Sequence, residues 1–193
     1  MQTRKIAISL FLGLFLFGGA AHAAEPLPTA VAAIVDVQRI LSEALVSKDV
    51  RKQLEVRRST FQKEIEKEEN SLRSAEQALS KQRGKIPAQD YAEREQQLRQ
   101  RFLTVENHVQ ARRKVLDRSY AEAMAAVRKA LLDVVAAIAR ERGVNVVITA
   151  QQALWADKPL DITNDVLARL DNSVSRIDVN ALLKENSKEG TRD

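Results

Sequence analysis

Almost half of the chain is one uninterrupted charged helical pattern folded back on itself. From Lys48 no Gly or Pro occurs until Gly84, and from Ala88 none occurs until Gly143. The first stretch reads as a helix of about 37 residues, roughly 55 Å long, and the second as one of about 55 residues, roughly 80 Å. Ser47 is a plausible N-cap for the first, and Gly84-Lys-Ile-Pro87 is the reversal between them. Gly ends a helix in the left-handed region, and Pro suits the opening turn of the next. A chain built this way must form a long antiparallel hairpin whose apolar residues are spent along a seam.

The seam is legible but thin. Leu54, Phe61, Ile65, Leu72 and Leu79 recur by sevens and fours on the outgoing helix, interrupted by Arg58, Glu68 and Ala75. Leu98, Phe102, Val105, Val109 and Leu116 continue it on the return. It then shifts phase to Tyr120, Met124, Val127, Leu131, Val134 and Ile138, with an eleven-residue step from Val109 to Tyr120 that locally unwinds a left-handed supercoil. The junction between arm and body is expected there. The return helix outlasts its partner, and its Ala-, Val- and Leu-rich last third must pack on something else: the short helix Gln38–Leu45 and the strands.

Those strands flank the hairpin. Val31–Val37 is β-prone and passes into the short helical segment. Val144–Thr149 reads as a second strand and Ala153–Ala156 as a third. Asp161-Ile-Thr-Asn164 can cap a last helix, Asp165–Leu170. The fold class is therefore α+β and mostly α, a coiled-coil hairpin on a small strand body. Three or four short strands cannot close a barrel within one protomer and leave edges that other copies would cover, so self-association is expected.

Ahead of the body, Arg4 and Lys5, the apolar run Ile6–Phe17 and Ala21-His22-Ala23 form a secretory signal with cleavage before Ala24. The run is too short to span a bilayer. The chain has no cysteine, hence no disulfide, thiol nucleophile or lipidated cysteine. The organisation is residues 1–23 signal peptide, 24–47 and 119–171 association body, 48–118 arm, and 172–193 a tail. The tail, with one weak apolar cluster from Val179 to Leu183, reads as disordered.

Charge is unevenly divided. Residues 48–118 hold eighteen Lys and Arg against twelve Asp and Glu, so the arm carries +6 while the remainder of the mature chain carries −3. A surplus of one sign on one element attracts anionic partners and is screened by salt. Lys81, Arg83 and Lys85 at the tip, Arg99 and Arg101, and the run Arg112-Arg113-Lys114 are the candidate contact residues. Each alone is an ordinary solvated charge, and only their aggregate makes a diffuse site.

Val31-Ala-Ala-Ile-Val-Asp-Val-Gln-Arg-Ile-Leu41, Gly143-Val-Asn-Val-Val-Ile-Thr-Ala150 and Asp161-Ile-Thr-Asn-Asp-Val-Leu167 resemble the corresponding ends of the OmpH (Skp) family of periplasmic chaperones. The resemblance runs from Ala30 to about Leu170. It implies a homotrimer whose strands form a β-barrel body, with three hairpins enclosing a cavity. It also implies holding of unfolded outer-membrane β-barrel proteins, without ATP or any cofactor, on their way to the outer membrane. By position Ile34, Val146, Ile148 and Trp155 would belong to the trimer body, and Asp161, Thr163 and Asp165 to the closing turn. The residues 172–193 extend past the usual end.

Rival readings are weaker. The mature chain has one histidine, His108, without the neighbouring His, Cys or paired carboxylates that metal or acid–base chemistry requires, and no phosphate loop or nucleophile elbow is present, so an enzyme is not expected. Export makes nucleic acid an improbable partner for the basic helices. A structural coiled-coil spacer, or an arm that touches anionic membrane or lipopolysaccharide, are the alternatives.

Overall fold

The structure, a computed structural model, describes residues 28–174 and 176–189. The signal segment and the start at Ala24 lie outside the described residues. Strand β1 (Ala32–Val35) leads into helix α1 (Val37–Glu43), then α2 (Leu45–Gln82), α3 (Ala88–Glu141), strand β2 (Val146–Thr149), two 3-10 turns, α4 (Thr163–Ser173) and α5 (Val179–Glu189).

β1 and β2 pair in parallel, with Ala32 opposite Val146 and Val35 opposite Thr149. Parallel neighbours require a long crossover, and here the whole hairpin α1–α3 is that crossover. β1 is the inner strand, because a parallel bridge joins Ile34 to Asp161 on its other side and the Ile162 amide donates to the Ile34 carbonyl at 2.9 Å. Among the described residues the sheet thus has two strands and one bridge. Ala153–Ala156, expected as a third strand, joins no strand among the described residues. The Ala153 amide turns back to the Ala150 carbonyl at 3.3 Å, the chain bends at Leu154, and that side chain is fully exposed.

Side chains lock the strand ends. Asn145 accepts from the Val31 amide through Oδ1 and donates through Nδ2 to the Thr29 carbonyl, both at 2.8 Å. Asp36 caps α1 by accepting the Arg39 amide at 2.9 Å, and its own amide donates to Thr163 Oγ1 at 2.9 Å. Asp161 Oδ1 accepts from the Thr163 amide at 2.9 Å, an Asx turn that opens α4. The strand-to-helix corner and the closing turn are therefore one hydrogen-bonded unit.

α2 begins three residues before Lys48. Its first amide, that of Leu45, donates to Asp171 Oδ1 of α4 at 2.7 Å, so the cap comes from 126 residues away. Ser47 is not the cap: it lies within the first turn, buried, its hydroxyl without a hydrogen-bond partner among the described residues. Arg51 in turn donates to the Leu41 and Ser42 carbonyls at the end of α1. Gly84 and Gly143 close the two long helices at φ +73° and +65°, the left-handed values that favour glycine.

The hairpin is antiparallel. Arg58 faces Asp117 at 3.8 Å, Arg101 Nη2 reaches Ser71 Oγ at 3.5 Å, and Arg94 bonds Gln82 nearest the turn. Beyond Leu54 the arm buries only Ile65, Leu72 and Leu79 of α2, and Leu98, Val105 and Val109 of α3 are half-buried. Phe102, expected in the seam, is exposed. The seam is thinner than its spacing promised.

The core lies at the other end. Ile40, Val46, Val50 and Leu54 meet Leu116, Ala123, Val127, Leu131, Val134 and Ile138 of α3, together with Ile162, Val166 and Leu170. The surplus length of α3 joins α4 and, as expected, the strand and short helix: Leu131, Val134 and Ile138 share one core with Ala33, Val35, Ile40, Val166 and Leu170. The tail 172–193 is corrected: α4 runs to Ser173, and residues 179–189 form α5 docked on α3 and α2. A helix of eleven residues is marginal alone. Its order comes from the surface it covers, which no local reading of the tail contains.

The Asp36 carboxyl is held below the usual carboxylate range, chiefly by the Arg39 amide and further by the Gln151 side chain. Its stabilisation is therefore complete above the unfolded value of about 3.9 and fades as pH falls through the lower folded value. Replacing Asp36 by Ala is expected to cost about 1 kcal/mol at pH 7. Urea titrations at fixed protein concentration should show that difference shrinking below about pH 4. Asp36→Asn should lose less at pH 7.

Candidate binding surface

Binding residues anticipated on the arm are strung along it. Lys81 lies in the last turn of α2, where a cation complements the helix dipole. Arg83 is the C-cap residue, and Lys85 sits in the turn, its amide on the Gln82 carbonyl at 2.9 Å. These three share the tip. Arg99 pairs at 3.6 Å with Glu95 one turn back, and Arg101 reaches across to Ser71. Arg112, Arg113 and Lys114 lie close to the body, about 40 Å along α3 from the turn. Arg112 is turned inward, its guanidinium 5.8 Å from the Phe61 ring centre. The eight cations therefore decorate a rod and do not converge on one pocket.

Apolar side chains are interleaved with them. Val56, Phe102 and Leu103 are all exposed on the arm, and Phe102-Leu103 directly follows Arg101. Solvent-facing apolar groups therefore stand among the positive charges of the arm. The spacing pattern placed Phe102 in the seam and so concealed this feature.

The arm base carries a groove of about 350 Å³ between α2, α3 and α5. Phe61, Val115, Leu116 and Leu183 give it apolar walls; Arg57, Arg112, Lys184 and Lys188 supply positive charge against the single carboxylate of Glu64. Nearby, Asn186 of α5 donates from Nδ2 to Ser119 Oγ at 3.0 Å and to Glu122 Oε2 at 2.7 Å. Those contacts, Asn186 first and Arg118 second, hold the Glu122 carboxyl below its usual range. None of Gln53, Ser119, Asn186 or Asp171 announces itself in sequence. Each is a common polar residue whose importance comes from a partner far away in the chain.

The four residues assigned to an association body are divided by the structure. Ile34 is buried between β2 and the Asp161 bridge, and Ile148 is half-buried opposite it. Val146 is 42% exposed and Trp155 78% exposed. Val31, Leu154 and Leu160 are exposed on the same body segments. β2 has one edge unpaired among the described residues, and such an edge together with outward apolar groups forms a surface suited to another chain.

Across the body, Arg142 meets Asp165 at 2.6 Å and Arg169 meets Glu141 at 2.7 Å. The second pairing lowers the Glu141 carboxyl and raises the Arg169 guanidinium. These pairs are half-exposed, so they orient α4 on α3 more than they stabilise it. Among the described residues no cluster of His, Cys, Asp and Glu could hold a metal ion, and no helix is long and apolar enough to cross a membrane.

Comparison with known proteins accords with this architecture. Residues 31–170 match the family model described as outer membrane protein (OmpH-like). The chain is 29% identical over 153 residues to the chaperone protein Skp of Yersinia enterocolitica, covering 79% of this chain and 93% of that one. The crystal structure of an OmpH-like outer membrane chaperone from Caulobacter crescentus CB15 superposes with a TM-score of 0.73 at 19% identity, over 79% of this chain and 90% of the other. Hairpin, parallel strand pair and closing turn all fall within the matched span, and the chain belongs to the OmpH-like family.

Proposed function

We propose that this protein is an ATP-independent periplasmic holdase. It captures unfolded outer-membrane β-barrel proteins in a cavity between helical arms and prevents their aggregation in transit to the outer membrane. The observation that carries this reading is the arm itself. A hairpin some 55 Å or more in length, with a thin seam, a net positive charge and exposed Val56, Phe102 and Leu103, offers a flexible guest both attraction and weak apolar contact. The name of the Yersinia relative, a chaperone, supports it. Lys81, Arg83, Lys85, Arg99, Arg101, Arg112, Arg113 and Lys114 act together as the diffuse guest-gathering charge, steering acidic unfolded chains at a rate that salt should screen.

The holding cavity requires more than one copy. In this reading three protomers associate through the exposed body residues, with Val146 and Trp155 in the interface and Ile34 and Ile148 supporting the sheet behind them. Arms then hang side by side around the guest. A spacer needs none of this, and the two differ in a simple assay.

Mixed with a urea-unfolded outer-membrane β-barrel protein that is then diluted, the purified mature protein is expected to suppress light scattering at one trimer per guest. No suppression would leave only the spacer. Replacing Lys81, Arg83, Lys85, Arg99 and Arg101 together by Gln should slow guest capture most at low salt in stopped-flow experiments; an unchanged rate would remove the steering role. Trp155 is the sole tryptophan of the chain. Its emission should therefore be blue-shifted in the assembled protein and move to the red on dilution, in step with the mass measured by light scattering. A solvent-exposed spectrum in a confirmed trimer would place the interface elsewhere.

A further inference from the structure

α5 lies beyond residue 170, where the family span ends, yet it is seated on the arm base with specific contacts. Gln53 clasps its entry, donating from Nε2 to the Ile177 carbonyl at 2.9 Å and accepting the Val179 amide on Oε1 at 3.1 Å. Arg57 Nε donates to Asn180 Oδ1 at 2.6 Å. Val179 is fully buried, Leu182 and Leu183 are half-buried against the core, and Asn186 is buried on Ser119 and Glu122.

Three properties make this a reversible seat. A single eleven-residue helix does not persist in water, so leaving the surface also melts α5. The interface is notched by the buried Asn186–Ser119 pair, and a polar pair in an apolar seam fixes register at a cost in stability. Between α5 and the same two arm helices the groove stands open, with Phe61 of α2 and Leu183 of α5 in its walls, and Arg57 and Arg112 of the arm joined by Lys184 and Lys188 of α5 against Glu64. That chemistry receives an apolar side chain flanked by carboxylates.

We propose that α5 is an intramolecular occupant of a guest-binding face on α2 and α3, displaced when a segment of unfolded polypeptide bearing apolar and acidic residues enters through the adjoining groove. This rests on the holdase reading. α5 keeps the apolar strip at the arm base covered while the protein is empty, and yields it when a guest arrives. The surface released comprises the Gln53–Phe61 stretch of α2 and the Arg112–Ala123 stretch of α3, next to Arg112, which already faces Phe61.

Hydrogen exchange on the full chain tests this, with and without a urea-unfolded outer-membrane β-barrel protein as the guest probe. Amides of residues 179–189 should exchange at least about tenfold faster with guest bound, while α2 and α3 at the arm base stay protected. Unchanged or slower exchange in α5, when light scattering shows the guest held, overturns the proposal and leaves the holdase reading standing. A second arm uses Val179→Asp with Asn186→Asp, which sets carboxylates in the apolar seat and against Glu122. The doubly substituted protein should hold guest several-fold more tightly than wild type. If exchange shows α5 released and holding is unchanged or weaker, α5 is a brace for the hairpin and the proposal fails. Should the substitutions leave α5 docked, the wild-type exchange result alone decides. Failure of wild type to suppress aggregation at all, with α5 exchange unaffected, removes the holdase reading and this inference with it.

Discussion

The parallel pairing of β1 with β2 is the constraint on which the rest depends. It joins Ala32–Val35 to Val146–Thr149 across more than a hundred intervening residues, and a parallel pair can be connected only by a chain that leaves the sheet and returns to the same end. In most folds one helix suffices for that return. Here the return is a two-helix hairpin that runs far out and back, so closing the body and projecting the arm are the same event. Asn145, Asp36, Thr163 and Asp161 secure the corner where these paths meet.

Stability and projection are separated along α3. Its body end, from Leu116 to Ile138, buries about one side chain per turn against α2, α4 and α5, whereas its outer half leaves Leu98, Val105 and Val109 only half-covered. Burial of an apolar side chain contributes about 1.5–3 kcal/mol, so the free energy that holds the protomer is concentrated at the base. The outer arm contributes little of it. That gradient gathers the cohesion of the protomer in the body and leaves the tip with little part in it.

Charge follows the same division. The ion pairs of the body, Arg142–Asp165 and Arg169–Glu141, are partnered between elements and fix how α4 sits on α3. Cations of the arm meet a neighbour one turn away, as Arg99 does with Glu95, or a partner across the seam, as Arg58 does with Asp117 and Arg101 with Ser71. The arm keeps its net positive charge all the same, and the exposed Phe102-Leu103 pair directly follows Arg101.

Much of this was legible in the sequence. Helix lengths, the reversal at Gly84-Lys-Ile-Pro87 and the strand-to-helix corner at Asp36 are local patterns, and local geometry dictates them: an absence of Gly and Pro, a left-handed glycine, a carboxylate beside orphan amides. The course of Ala153–Ala156 outside the sheet, the outward turn of Phe102 and the capping of α2 by Asp171 were not legible, since each depends on what lies across a gap in space. The tail shows the division most clearly. Val179 to Leu183 is too short and too weakly apolar to order itself, so the sequence alone determined a polar segment with one apolar cluster. Only the tertiary structure, by setting Gln53, Ser119 and Glu122 side by side on two helices more than sixty residues apart in the chain, decided that the segment becomes a docked helix.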